Sequence, residues 1–290
     1  MSGKTGVVVV GVDGSKSALA AVEWAADDAR RRGARLRIVH VREPWANEFP
    51  FHGVAGYHQS LTEYCEGVVA RAAERAKERA PDLEVTTEVV TGAVIERLLT
   101  EAERADVVAV GSRGMGGFAG LVLGSVGMGL ASHSPVPVVV VRWLQEKTYD
   151  EVVVGVDGEA HTDPALEFAI EEARLRGARL RALHAWHRHL HNPLALAGTP
   201  VDRDAFDEEV REFRERLAPW RDRNPDVELI DTAVCGHPVP VLADLSGSAD
   251  LLVVGSRRHG GIGKALLGSV SHGVLHRARC PIAIVRPKGG

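Results

Sequence analysis

Short apolar runs rich in valine alternate along this chain with longer segments whose apolar residues recur at helical spacing. Val7 to Val12 is a continuous apolar run, the pattern of a strand buried on both faces of a parallel sheet. It ends at Asp13-Gly14-Ser15, and a helix follows with Ala18, Ala21, Val22, Ala25 and Ala26 on one face and Gly33 as its stop. Leu36 to Val41 reads as the second strand, residues 43 to 58 as a long aromatic loop, and the Ala, Arg and Glu-rich stretch to about Ala80 as a helix halted by Pro81. Leu83 to Val90 is a third strand, broken at Gly92. Ala93 to Ala105 is a helix carrying Val94, Ile95, Leu98, Leu99 and Ala102 on one side. Asp106 to Val110 is a buried strand that enters a glycine-rich stretch, a short helix follows Ser125, and Val138 to Arg142 closes the series.

The same order then repeats. Val152 to Val156, Leu180 to His184, Val227 to Val234, Leu251 to Val254 and Ile282 to Val285 are the second set of strands. Landmarks keep a constant offset of 144: Asp13 and Asp157, His40 and His184, Gly92 and Gly236, Gly111 and Gly255, Gly124 and Gly268, Pro137 and Pro281. Strands alternating with helices imply right-handed crossovers and a parallel sheet covered on both faces. The expected fold class is therefore α/β, as two tandem units, residues 1–145 and 146–290, each with five parallel strands flanked by helices.

Composition narrows the function classes. With 45% hydrophobic and 26% charged residues the chain has an ordinary globular make-up, and its formal net charge of -4 gives no global basic surface for nucleic acid. No apolar run is long enough to span a membrane, and the start, with Val7 close behind Met1, lacks the form of a secretory signal. Cys65, Cys235 and Cys280 form no C-x-x-C pair, and an odd number disfavours a disulfide framework, so they read as packing residues in a reducing cytoplasm.

Candidate chemistry concentrates in residues 111–126 and their copy at 255–270, which agree at 9 of 16 positions. A structural turn needs the glycines but not the shared Ser112/Ser256, Arg113/Arg257 and Ser125/Ser269, so anion binding is the better explanation. Backbone N–H groups around Gly111, Gly114, Gly116 and Gly117, with Arg113, would hold phosphates, and Ser125 would add a hydroxyl. Ligands in open parallel sheets bind beyond the carboxyl ends of the strands where the strand order reverses, which brings Asp13, Val41 and the Gly111 loop to one crevice. Asp13 repels phosphate. Its place is against ribose hydroxyls or, like Asp157, against a divalent cation such as Mg2+ through water. Neither G-x-x-x-x-G-K-[ST] nor G-x-G-x-x-G occurs, which argues against P-loop and classical dinucleotide chemistry.

The spacing G-x2-G-x9-G-[ST] at Gly111, Gly114, Gly124 and Ser125, with Val-Gly-Val-Asp-Gly-Ser at residues 10–15 and His-Val at 40–41, closely resembles the ATP-binding class of the universal stress protein family. The resemblance covers nearly the whole chain. It implies tandem Rossmann-like domains of the adenine nucleotide alpha hydrolase-like type, ATP as ligand, and a nucleotide-dependent sensor or regulator in a stress response rather than a dedicated enzyme. By position, Val41 would hold adenine through its backbone and Gly11 and Asp13 would line the nucleotide. Ser112, Arg113, Gly114, Gly124, Ser125 and Val126 would surround ribose and phosphates with Gly111. In the second half Gly155, Asp157, Gly255, Ser256, Arg257, Gly260, Gly261, Gly268, Ser269 and Val270 correspond. Arg258 replaces the second motif glycine, Ala185 replaces Val41 and Glu159 replaces Ser15. The bulk at 258 narrows that loop while its charge favours phosphate, so the first half is expected to bind ATP at least as well. The resemblance also implies that Val138–Val141 and Ile282–Val285 pair, between the halves or in a homodimer.

Two other functions compete with the regulator: a slow ATPase in which Asp13 positions a metal and Ser125 or Arg113 stabilises the transferred phosphate, and a dimerisation module with empty loops. His184, His187, His189 and His191 form a cluster, but His184 has an equivalent in His40, and a structural role outweighs metal binding there. Trp45, Phe49, Phe51 and Tyr57 fit a flap over the nucleotide and loop packing equally well. The charged run from Arg71 to Glu78 is most simply a solvated helix face.

Overall fold

A computed structural model describes residues 6–43, 57–114, 124–145, 147–157, 162–186, 200–256 and 267–287, with the helix path alone at 57–60 and 200–202. The first half runs β1 (Val7–Gly11), α1 (Lys16–Arg32), β2 (Arg35–Arg42), α2 (Tyr57–Arg79), β3 (Val85–Thr91), α3 (Val94–Ala102), β4 (Val107–Gly111), α4 (Ser125–His133) and β5 (Val138–Val141). The second runs β6 (Glu151–Gly155), α5 (Asp163–Arg176), β7 (Arg179–Trp186), α6 (Pro200–Arg223), β8 (Leu229–Cys235), α7 (Pro238–Leu245), β9 (Leu251–Gly255), α8 (Ser269–Arg277) and β10 (Ile282–Val285).

Local chemistry sets the boundaries. Ser15 caps α1 by accepting from the Ala18 N–H, and Gly33 and Gly177 end α1 and α5 in the left-handed conformation at φ 63°. The third strand of each half starts two residues later than its apolar pattern suggests. Leu83 N–H still bonds back to Ala80 O, and Val227 N–H to Asn224 O, so both chains are still turning there. The helix expected to reach Ala105 stops at Ala102 because Arg104 and Ala105 close tight turns onto Glu101 and Ala102 instead.

The strands form one ten-stranded sheet in the order β3-β2-β1-β4-β5-β10-β9-β6-β7-β8. Each half is parallel throughout, and the halves join where β5 and β10 pair antiparallel, Ile282 opposite Val140 and Ile284 opposite Val138. The expected pairing of these strands is thus made within the chain. Strand periodicity sends Val8 and Val10 into a core under α1 and α2, and Val7 and Val9 into one under α3 and α4. Both cores continue across the junction into the second half.

Candidate functional site

The strand order reverses between β1 and β4, and between β6 and β9, so a crevice opens at the carboxyl ends of those strands in each half. The two imidazoles at its base are structural. His40 Nδ1 lies 2.7 Å from Val12 O and His184 Nδ1 3.0 Å from Val156 O, both rings buried, which pins the turn leaving the first strand. Val41, on the same strand as His40, is half-buried, as is Ala185 beside His184. Ser112 and Ser256 are buried at the ends of β4 and β9, and their carbonyls accept from Gly124 and Gly268 at 2.7 and 2.9 Å. That bond clamps the two ends of each glycine loop together. Ser125 and Ser269 then open α4 and α8, followed by Val126 and Val270.

In the first half the crevice is packed by its own residues. Asp13 Oδ1 accepts from the Ser15 N–H at 3.0 Å. A Cβ placed on Gly114 would sit 2.6 Å from Asp13 Oδ2, so a side chain at the second motif glycine would displace the carboxylate beside it. Ser17 Oγ donates to Arg113 O at 2.6 Å and Ser15 Oγ to the same oxygen at 3.2 Å, tying the start of α1 to the loop. Gly111 is under the same constraint, because its Cβ would lie 2.7 Å from Ala18 N. Gly11 faces Leu98, whose Cδ1 would be 3.1 Å from an added Cβ.

In the second half the described residues leave a cavity at the equivalent place. A cavity of about 300 Å³ is bounded by Gly155, Asp157, Ala185, Gly255, Ser269 and Val270, all expected site residues. Its apolar wall comes from Leu183, Pro238, Leu242 and Val254, with Thr162 and Ser271 adding hydroxyls. At the repeat offset, α5 begins three residues later than α1, so the turn that presses on Gly111 has no described counterpart over Gly255. Among the described residues a Cβ on Gly255 would meet nothing within 4 Å. Ser271 Oγ donates to Gly255 O at 2.8 Å, where the first half has Gly127. The wall residues went unnoticed in the sequence because Leu242, like its equivalent Leu98, follows an ordinary amphipathic helix pattern that reads as core.

Gly116, Gly117, Arg257, Arg258, Gly260 and Gly261 lie outside the described residues, as do Trp45, Phe49, Phe51, His187, His189 and His191. Among the described residues no three His, Cys, Asp or Glu side chains converge as a metal site, and no helix is long and apolar enough to cross a membrane. All three cysteines are free, and burial pushes the Cys280 thiol up to about 12.

The fold defines a tandem α/β protein whose strand order reverses once in each half. Comparison with known proteins gives the class a name. The universal stress protein family model matches residues 5–142 and again 148–286, and the chain belongs to that family. It is 36% identical to universal stress protein Rv1996 of Mycobacterium tuberculosis, over 96% of this chain and 94% of that one. It is equally 36% identical to Rv2005c of the same organism, over 96% of each chain. The crystal structure of a universal stress protein from Archaeoglobus fulgidus superposes with a TM-score of 0.72 at 21% identity, covering 98% of this chain and 97% of that one, which is a likeness of fold.

Proposed function

We propose that the chain binds ATP and acts as a nucleotide-dependent regulator in a cytoplasmic stress response, with residues 1–145 and 146–290 as its two domains. The observation that carries this reading is the 300 Å³ cavity at the ends of β6 and β9, bounded by residues to which the G-x2-G-x9-G-[ST] pattern assigns a nucleotide. Its volume is at the small end for ligand sites and suits a nucleoside, with Leu183, Leu242 and Val254 as apolar surface for a base. Asp157 at its mouth suits ribose hydroxyls, or Mg2+ through water, by the same charge argument as Asp13. Phosphates would run toward the start of α8, where Ser269 and the helix dipole favour negative charge.

The motif alone ranks the first half ahead. The cavity found among the described residues lies in the second. Isothermal titration of ATP tests both statements. The wild type is expected to bind saturably, Ala185→Phe to lose the second-half site by filling its cavity, and Asp13→Ala and Gly124→Ala to affect only a first-half site. Equal affinity and stoichiometry in all four proteins would overturn the site assignment. Phosphate release above background, lost in Asp13→Ala or Asp157→Ala while ATP still binds, would replace the regulator with a slow ATPase.

A further inference from the structure

A second cavity, of about 150 Å³, lies where the two halves meet the connection between β5 and β6. Arg31 of α1, Arg79 of α2, Arg176 of α5 and, from the connection, Lys147, Thr148 and Asp150 all contribute to its wall. Most charges there are matched. Arg79 grips Asp27 in a bidentate pair, with Nη2 2.8 Å from Oδ2. Arg176 is bound to Glu172, and Asp250 accepts from the backbone N–H groups of Tyr149 and Glu151 at 2.9 and 3.3 Å.

Arg31 is the exception. Among the described residues its half-buried guanidinium makes no hydrogen bond and no ion pair, leaving five donors open to water beside a cavity. Burial, and after it the charge of Arg176, hold Arg31 below its usual range, although Asp27, Asp28 and Glu172 pull the other way. The fold does not demand an arginine there, because the equivalent position of the second half is Leu175. Two further donors face the same space without a hydrogen-bond acceptor among the described residues: the Thr148 hydroxyl, and Lys147, whose Nζ lies 5.1 Å from the centre of the Tyr149 ring. Lys147 and Thr148 belong to a connection that occurs only once in the chain.

We propose that this junction cavity is an anion site in which Arg31, with Lys147 and Thr148, binds one phosphate-sized tetrahedral oxyanion and so ties the two halves together. The volume corresponds to about five waters, room for one such ion and too little for a nucleotide. Arginine and lysine donors to oxyanions make the stronger, charge-assisted class of hydrogen bond. Asp150 adds selectivity. Its carboxylate has no partner among the described residues, and it sits at φ 54°, where the first half has Gly6 at φ 65°. A carboxylate in the wall repels a fully ionised anion such as sulfate, but it accepts a hydrogen bond from the proton of hydrogen phosphate.

Calorimetric titration of the full chain in a chloride buffer at pH 7.5 and constant ionic strength tests this. Orthophosphate is expected to bind saturably, at least tenfold more tightly than sulfate. Arg31→Leu, which installs the residue of the other half, should weaken phosphate binding at least tenfold. Asp150→Asn, which tolerates the same backbone, should narrow the gap between phosphate and sulfate. Glycerol phosphate binding as well as orthophosphate would identify a small phosphomonoester as the source, and orthophosphate alone the free ion. Unchanged phosphate binding in Arg31→Leu would overturn the proposal and send the anion to the glycine loops. Lys147→Met provides the same comparison should Arg31→Leu fail to fold.

Discussion

Arg32 on α1 reaches across the junction to Glu172 on α5, both sealed from solvent, while its Nε donates to Asp28 at 2.6 Å and its Nη1 to Glu171 at 2.6 Å. The pair has a mirror at the repeat offset. Arg176 binds Glu172 one turn before it and lies 4.0 Å from Asp28, and each arginine stacks 5.8 Å over an aromatic ring of the other half, Arg32 over Phe168 and Arg176 over Trp24. The two halves are thus held by apolar strand pairing in the sheet and by a buried ionic cluster above it.

Removing Arg32 leaves the fully buried Asp28 without its hydrogen-bonded cation, while Glu172 keeps Arg176 alone. Arg32→Met is expected to lower stability by about 3–5 kcal/mol, because an uncompensated buried charge costs more than the pair it came from contributed. Arg32→Lys should recover only part, since one ammonium lacks the fixed fork that serves three acids. Urea unfolding of the three proteins measures this, and a loss under 1 kcal/mol for Arg32→Met would contradict it.

Gly114 and Asp13 should be energetically coupled. Gly114→Ala forces a methyl into the 2.6 Å gap before the carboxylate, whereas in Asp13→Ala the space is vacant. A double-mutant cycle is expected to return an interaction energy of about 1 kcal/mol or more, with the double variant less damaged than the sum of the singles. Additive effects would show that Asp13 moves aside without cost.

Stability should fall in acid through Glu151. Burial pushes this carboxyl up, but the hydrogen bonds and charges of Arg181 and Arg179 outweigh it and hold it below the usual value of 4.5. The folded state therefore keeps its proton off more readily than the unfolded chain. Its contribution is complete above about pH 4.5 and disappears as the pH falls through the lower folded value. Glu151→Gln should be less stable at neutral pH, with the difference from wild type shrinking on acidification. Melting temperatures of both proteins between pH 3 and 7 give the comparison, and a constant difference would exclude the linkage.

The first half alone exposes the β5 edge, four buried valines, once β10 is removed. A fragment of residues 1–145 is expected to dimerise by pairing β5 with β5 of a second copy, since β10 and the charges of α5 are the repeat equivalents of β5 and the charges of α1. Sedimentation over a range of concentrations reads the outcome. A soluble monomer at every concentration would mean that the edge is tolerated bare.

The amino-acid sequence determined the tandem α/β organisation, the strand and helix order, and the strand-end glycines, aspartates and serines, because these rest on period, on local turn chemistry and on a repeat with constant offset. Boundaries moved by a few residues where backbone bonds such as Leu83 to Ala80 kept the chain turning. Tertiary structure alone decided the rest. Ser17 on Arg113 O ties the start of α1 to the first loop, and a cavity remains among the described residues of the second half, although the motifs look nearly alike. The same holds at the junction. Arg31 and Leu175 are both unremarkable on a helical wheel, and only the packing of α1 against α5 and the connection leaves a guanidinium beside a cavity without a protein partner among the described residues. Periodicity reports which face of an element is buried; which partner it meets, and how much space remains, depends on contacts between residues far apart in the chain, such as Ser17 and Arg113.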